Sequence, residues 1–309
     1  MAAKVLVAIF VIFASMFTVF PASTNPLPFV LFHGIADECS SARLQNFTAT
    51  LRKWSGAQGS CIEIGNGFMD SFFMPIEKQI EVACKKVKSM KELSAGYNLV
   101  AESQGNMVGR GLIQTCDGGP PVKNYIALAG PHAGVASPPL CNETQTCVLE
   151  ANLIRLGVYT KFVQERLAPA GYIKIPTDIE GYMKGCVFLP RLNNEISGQK
   201  NSLFKKRFSR LQNLMSNLHL LPFFDVDIHQ FEQDQTLIPR ETSWFGHYED
   251  GSWNKILPVQ QTKLYTEDRI GLRTLDKAGK VKFINVTGDH LQISFSDLQK
   301  HVFPYLRAN

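Results

Sequence analysis

The sequence of 309 residues contains no internal repeat and no low-complexity tract, so a solenoid architecture is not expected. Charged residues are sparse, at 19% of the chain, and the formal net charge is only +5. The densest basic run is Lys205, Lys206 and Arg207, which is more typical of a solvated helix face than of a nucleic-acid patch. No nucleic-acid partner is therefore expected.

Two further absences narrow the class of protein. No apolar stretch beyond the N-terminus is long enough to span a bilayer, so no stable membrane anchor is expected in the mature chain. The seven cysteines form no C-x-x-C pair, which argues against a structural zinc site.

The N-terminus carries a targeting segment. Lys4 precedes an uncharged stretch from Val5 to Phe20, and the small or turn-forming residues Pro21, Ala22 and Ser23 follow. This order predicts a signal peptide over residues 1–23. The alternative is a retained membrane anchor, because the apolar run is long for a signal peptide.

Cysteines and sequons agree with export. Several of the seven cysteines should pair in an oxidising lumen, and their odd number leaves at least one unpaired in the monomer. Three N-x-S/T sequons become candidate glycosylation sites once the chain is exported, at Asn46, Asn142 and Asn285. The expected location is the secretory pathway, ending in a lysosome or vacuole or outside the cell.

Buried strands alternate with helices along much of the chain. Short apolar runs predict strands, and the spacing of Ile76, Ile80, Ala83 and Val87 predicts a helix. This alternation predicts an α/β fold with a mainly parallel central sheet and helices on both faces. The predicted strands are 29–32, 61–64, 97–100, 125–129, 223–231 and 281–286; the predicted helices outside the middle region are 76–90, 107–115 and 296–306.

The sheet rhythm stops over residues 138–221, where 149–167 and 203–220 have helical spacing. We interpret this region as a helical insertion in a single domain of residues 24–309. Its length favours a cap or acyl groove, although additional crossover helices would give the same pattern.

Ser103 directly follows a strand and directly precedes a helix. This arrangement is typical of a nucleophile elbow, the strand-turn-helix motif close to G-x-S-x-G that defines the α/β-hydrolase fold. The turn is so tight that its flanking residues must be small. Gly105 satisfies this requirement, and Ala101 stands where the motif has glycine.

The remaining catalytic groups follow from chain order. His33-Gly34 ends the first strand, where an oxyanion loop is expected, and the backbone N–H groups of Ile35 and Gln104 are its candidate donors. The base should come last in the chain, and His290 is the one late histidine in a turn after a strong strand. The less suitable alternatives are His219, His229, His247 and His301.

The position of the acid is less clear from spacing. It must precede His290 near the end of another strand. Asp234 follows the strand over 223–231, but spacing alone leaves several carboxylates possible, namely Asp225, Asp227, Glu232, Asp250 and Asp268.

The chain resembles the palmitoyl-protein thioesterase family of the lysosomal type. The most specific matching motifs are YTKFVQERL at 159–167 and LYTEDRIGL at 264–272. Others are FHGI at 32–35 with Asp37, SQG at 103–105, WFG at 244–246 and GDHLQ at 288–292, so the resemblance covers nearly the whole mature chain.

The resemblance implies further assignments. The acid of this family lies ten positions before the tryptophan of W-F-G, which is Asp234 here. Family disulfides would map to Cys84–Cys116 and Cys141–Cys147. Ser40 replaces the partner that Cys39 has in animal members of the family, so Cys39 is expected to pair with Cys61 instead, with Cys186 free; the sequence alone leaves these pairings open. Ala101 and Glu102 depart from the Gly-Phe of the family at the elbow.

The expected function is serine-dependent hydrolysis of long-chain fatty acyl thioesters on proteins or peptides. The resemblance implies palmitoyl-cysteine substrates, and the mechanism needs neither a metal nor a cofactor. Two alternatives stay open: a lipid carboxylesterase or lysophospholipase with the same triad, and a non-catalytic acyl-binding protein on a hydrolase fold.

Overall fold

Six parallel strands form the central sheet of the computed structural model, which describes residues 25–136, 157–211 and 226–307. The order across the sheet is β2-β1-β3-β4-β5-β8. The strand bounds are β1 Phe29–Phe32, β2 Gly59–Cys61, β3 Tyr97–Glu102, β4 Val122–Leu128, β5 Val226–Phe231 and β8 Val281–Val286. A separate antiparallel pair consists of β6 His247–Tyr248 and β7 Ile256–Leu257.

The innermost strands are buried on both faces, as a parallel sheet covered by helices requires. Every residue of β1 and β3 is buried. Their register pairs Leu31 with Val100 and Phe32 with Ala101, so both strands end at the same level. This alignment places the loop after β1 beside the turn after β3.

Helices surround the sheet. The longer ones are α1 Ala42–Ser55, α3 Ile76–Ser89 and α4 Gly105–Thr115, and α2 Phe68–Phe73 is a short helix between β2 and α3. The remaining helices are α5 Lys161–Gln164, α6 Ile179–Gly185, α7 Leu189–Leu192, α8 Ser202–Ser209, α9 Lys263–Thr266, α10 Leu272–Lys277, α11 Phe295–His301 and α12 Phe303–Leu306. None of the helices in the described ranges has the length and apolar character needed to cross a membrane.

Several predicted element bounds were wrong, and three of the differences have a physical reason. The second strand ends at Cys61 rather than Ile64, because the Glu63 side chain accepts the amides of Cys39 and Ile64 and the chain leaves the sheet. The predicted helix over 149–167 contains, within its described part, only the four residues of α5 after a turn at Gly157. The terminal helix is broken at Val302, and proline occupies the first turn of α12.

The described part of the insertion packs on α4 through a buried cation. Arg110 of α4 has no exposed surface, and its guanidinium donates to the His132 carbonyl at 2.9 Å and to Asn193 Oδ1 at 2.6 Å. The same group lies over the ring of Phe245, 4.8 Å from its centroid. Burial lowers the pKa of Arg110 to about 10, so the guanidinium stays charged at neutral pH.

Two disulfides are present in the described residues. Cys84–Cys116 joins α3 to the end of α4, as the family resemblance implied, and Cys39–Cys61 joins the loop after β1 to β2. Cys186 is unpaired and buried, and its Sγ lies 3.2 Å from the Gly171 carbonyl. The predicted signal peptide, the predicted pair Cys141–Cys147 and the sequon at Asn142 lie outside the described residues.

We predict that the double substitution Cys84→Ser with Cys116→Ser lowers the free energy of unfolding by about 4 kcal/mol. The bridge closes a loop with a sequence separation of 32 residues, and opening it restores chain entropy to the unfolded state. Urea denaturation of the two proteins measures the difference. A loss below about 1 kcal/mol would show that the bridge adds little to the packing of α3 on α4.

Candidate active site

Ser103 lies in the turn between β3 and α4. Its backbone φ is +47°, in the left-handed region that residues other than glycine rarely adopt. The Ser103 amide donates to the Leu128 carbonyl of β4 at 2.9 Å. Such a conformation persists only where the surrounding structure enforces it, and it is typical of a nucleophile elbow.

Close backbone contacts enforce this turn. A Cβ atom on Gly105 would lie 2.5 Å from the His33 carbonyl oxygen and 2.6 Å from that of Phe32, so only glycine fits there. A Cβ on Gly34 would lie 3.0 Å from Ser103 Cβ. The methyl group of Ala101 is accommodated because it faces Gly109 of α4, which has no side chain. Even a Cβ atom built on Gly109 would lie 3.6 Å from the Ala101 methyl group.

His290 and Asp234 converge on Ser103 from two other strand ends. His290 follows β8, and its Nε2 lies 3.0 Å from Ser103 Oγ. Its Nδ1 lies 2.8 Å from Asp234 Oδ2, and Asp234 follows β5. The Asp234 carboxylate can only accept a hydrogen bond, so His290 Nδ1 carries the hydrogen. His290 Nε2 is then free to accept a hydrogen bond from the Ser103 hydroxyl.

The Asp234 carboxylate is held in place by backbone groups. Its side chain has no exposed surface, and Oδ1 accepts the amides of Thr236 and Leu237 at 2.9 and 3.0 Å. The loops that carry Asp234 and His290 are joined by the Gln233 amide, which donates to the Gly288 carbonyl at 3.0 Å. The orientation of the histidine therefore depends on the pairing of β5 with β8.

The loop after β1 and the start of α4 bring the predicted oxyanion donors to the serine. Neither the Ile35 nor the Gln104 amide donates to another group of the described chain. The side chain of Gln104 fixes the turn, because its Nε2 donates to the Ser71 carbonyl at 2.7 Å and its Oε1 accepts from the Tyr172 hydroxyl at 2.8 Å.

The roles of Ser71, of Asn106 and of the Gln104 side chain were not predicted from the sequence. Ser71 Oγ also accepts the Ala36 amide at 2.9 Å, so α2 supports the loop after β1. Asn106 donates to the carbonyls of Ser103 and Leu128, and its Oδ1 accepts from the Tyr125 hydroxyl. Only closeness to Ser103 in the chain could have drawn attention to Asn106 and to the Gln104 side chain, and nothing local marks Ser71.

Other candidate bases lie elsewhere. His229 and His247 are buried, and burial lowers the pKa of each to about 3. His301 is part of α11 and His219 lies outside the described residues. Among the described histidines, His290 alone contacts Ser103.

The alternative acids have other partners or positions. Asp227 is buried within β5, and Asp268 accepts from Thr274 and pairs with Lys205. Glu232 accepts from the Thr287 hydroxyl, and Asp250 lies 3.9 Å from Lys263. Asp225 lies outside the described residues.

In the described residues, one cluster contains three side chains of types that can bind a metal ion, those of His33, Cys39 and Glu63. The Cys39 sulfur is bonded to that of Cys61. His33 Nε2 donates to Glu63 Oε1 at 2.9 Å, so the cluster has its own protein partners.

The parallel sheet and the strand-turn-helix at Ser103 define an α/β-hydrolase fold. The profile of the family described as palmitoyl protein thioesterase matches residues 28–290. The chain is 34% identical over 286 residues to "Palmitoyl-protein thioesterase 1" of Caenorhabditis elegans, covering 90% of this chain and 91% of that protein. It is also 34% identical over 251 residues to "Palmitoyl-protein thioesterase 3" of Dictyostelium discoideum, covering 80% and 81%.

More distant matches were also found. "Lysosomal thioesterase PPT2-B" of Xenopus laevis is 27% identical over 193 residues, covering 62% of each chain. The crystal structure of a monoacylglycerol lipase from Paleococcus ferrophilus aligns over 91% of this chain and 95% of that one, with a TM-score of 0.46 and 11% identity.

The chain belongs to the palmitoyl protein thioesterase family and is a thioester hydrolase.

We predict that stability falls with acidification in a way that depends on His229. Its pKa is about 3 in the folded protein and near 6.5 in the unfolded chain, so only the unfolded state binds the proton between these values. Stability is therefore lost as the pH falls from 6.5 towards 3. His229→Asn removes this linkage and keeps a donor for the Ala127 carbonyl, which lies 3.4 Å from Nδ1.

Between pH 7 and pH 4.5 the free energy of unfolding of the variant should decline by about 2 to 3 kcal/mol less than that of the wild type. Urea denaturation at both pH values gives the two declines. Equal declines would mean that His229 takes up its proton over the same pH range in the folded and unfolded states.

Proposed function

We propose that the chain hydrolyses long-chain fatty acyl thioesters with Ser103 as nucleophile, His290 as base and Asp234 as the orienting acid. The observation that carries this proposal is the continuous hydrogen-bonded series from Ser103 Oγ to His290 to Asp234, with distances of 3.0 and 2.8 Å. This is the arrangement that nucleophilic acyl transfer requires.

The proposed reaction has two halves. Ser103 Oγ attacks the thioester carbonyl carbon and gives its proton to His290 Nε2, while the Ile35 and Gln104 amides bind the developing oxyanion. The C–S bond then breaks, and His290 returns the proton to the departing thiolate. In the second half, His290 takes a proton from water, whose oxygen attacks the acyl-enzyme; the proton returns to Ser103 as the fatty acid leaves.

The proposed substrates are S-acylated proteins or peptides, with palmitoyl-cysteine as the preferred linkage. The names of the relatives and the apolar side chains near the serine support this choice. Helix α2 contacts the loop after β1 through Ser71 and exposes Phe68, Met69 and Phe73. A long acyl chain needs such a surface, since each buried methylene contributes about 0.8 kcal/mol.

The proposed location is a lysosome, a vacuole or the extracellular space. Two disulfides and the relatives named lysosomal thioesterases support an exported protein. Cleavage after a signal peptide of residues 1–23 and glycosylation belong to the same proposal. The side chains of Asn46 and Asn285 are exposed, as glycan attachment requires.

We predict that Ser103→Ala lowers thioesterase kcat by at least about 10⁴-fold, because removal of a nucleophile leaves only binding and the oxyanion donors. The thermal midpoint should be unchanged, since alanine is as small as serine at this turn. A fluorophosphonate probe should label the wild type and not the variant. Ser94→Ala, at an exposed serine, is the control. Activity of Ser103→Ala near that of the control would assign the nucleophile elsewhere.

We also predict that kcat/KM for a palmitoyl thioester greatly exceeds that for an acetyl thioester. Phe73→Ser should reduce this ratio, while Leu203→Ser, at a similarly exposed position of α8, should not. A series of acyl lengths on thioesters and matched oxygen esters measures both preferences. A flat profile would exclude the long-chain assignment, and faster cleavage of the oxygen ester would indicate a lipid carboxylesterase. Covalent labelling without turnover of any ester would indicate an acyl-binding protein.

A further inference from the structure

A buried carboxylate lies next to the proposed nucleophile. Glu102 is the last residue of β3, and only 3% of its side chain is exposed. Both of its oxygens accept from Arg43, with Nη1 to Oε1 at 3.1 Å and Nη2 to Oε2 at 2.7 Å. A carboxylate so deeply buried requires such a partner, and a bidentate guanidinium fixes its direction as well as its charge.

Arg43 has a second carboxylate partner. Its Nε and Nη2 donate to Asp37 Oδ2 at 3.0 and 2.6 Å. Asp37 belongs to the loop after β1, two residues beyond Ile35. Arg43 lies in the first turn of α1 and so belongs to neither segment that it joins.

The two partners of Arg43 flank the two proposed oxyanion donors. Asp37 lies on the chain segment of Ile35, and Glu102 lies two residues before Gln104. Between Ile35 and Asp37 the chain turns at Ala36. The Ala36 φ of +59° is unusual for alanine and must be held by surrounding contacts. One guanidinium therefore connects both halves of the proposed oxyanion hole.

The pairing of Arg43 with Asp37 adds little to the stability of the fold. Nearly half of the Arg43 side chain is exposed, so solvent screens its pairing with Asp37 and the gain in stability is small. Burial raises the pKa of Asp37, but hydrogen bonds from Ser41, Arg43 and the Glu38 amide lower it by more. The pKa of Asp37 is therefore below its ordinary value. The Asp37 carboxylate thus stays ionised in mildly acidic surroundings.

We infer that Arg43, through Asp37 and Glu102, is a positioning residue that sets the spacing between the Ile35 and Gln104 amides. The inference rests on the catalytic roles proposed above. It also gives Glu102, which replaces the phenylalanine of the family pattern, a role in this chain. A displacement of about 1 Å between groups that bind a transition state can cost roughly 10²-fold in rate.

The test compares Arg43→Met, Arg43→Lys and Glu102→Gln with the wild type. Arg43→Met should lower kcat by about 10- to 100-fold and leave KM within about threefold, because the donors act on the transition state. Arg43→Lys should recover part of the loss, since an ammonium keeps the charge without the planar fork. Arg52→Met is the matched control, because Arg52 lies on the same helix and donates to a backbone carbonyl, that of Gly59.

A second readout separates positioning from a general structural role. Ser103 Oγ adds to the carbonyl carbon of a long-chain trifluoromethyl ketone and gives its proton to His290 Nε2, so the ketone oxygen becomes charged at the oxyanion donors. The inhibition constant of this ketone should rise in proportion to the loss of kcat/KM across the Arg43 and Glu102 variants, while the thermal midpoints of Arg43→Lys and Glu102→Gln stay close to that of the wild type. Arg43→Met combined with Glu102→Gln should lose no more kcat than Arg43→Met alone, because both changes break one connection.

The inference is wrong if Arg43→Met loses no more kcat than Arg52→Met, or if the inhibition constant stays constant while kcat falls. If Arg43→Met does not fold, Arg43→Lys and Glu102→Gln decide the question, and wild-type kcat and inhibition in both would overturn it. Failure of the proposed function gives a different result. In that case the wild type has no thioesterase activity that is lost in Ser103→Ala.

Discussion

The contact between two backbone segments, the end of β1 and the start of α4, determines where the proposed catalytic groups can lie. Gly105 touches the carbonyls of Phe32 and His33, and no side chain fits between them. This contact presses the loop after β1 against the turn that carries Ser103. Asp234 and His290 lie beyond β5 and β8, two and three strands from β3, and their loops reach back to the serine over the end of β4.

Much of the central sheet and the identity of the histidine beside Ser103 could be predicted from the sequence because both depend on local patterns. Strands β1, β3 and β4 contain apolar runs, and His290 lies in the turn after β8. The acid could not be chosen by spacing alone, since Glu232, Asp234, Asp250 and Asp268 all follow β5 and only the folded loops place Asp234 beside His290. The long helix predicted over 149–167 was wrong in its described part, because the apolar spacing continues through the turn at Gly157.

Buried charge around Ser103 is anchored in two different ways. Asp234 is held by two backbone amides and one histidine, so its position follows from the local fold of a single loop. Glu102 is held by Arg43, 59 residues earlier in the chain. Contacts between such distant residues were beyond sequence reasoning, since only the assembled sheet brings them together.

Cys186 is the unpaired cysteine of the described residues, and its burial affects how the protein acquires its covalent structure. Burial raises the pKa of the Cys186 thiol to about 12, so almost none of it is thiolate at neutral or acidic pH. Because thiolate is the species that attacks disulfides and electrophiles, the folded chain keeps Cys186 out of sulfur exchange. Oxidative folding can therefore end in one stable set of bridges, and alkylating reagents should spare Cys186 until the protein unfolds.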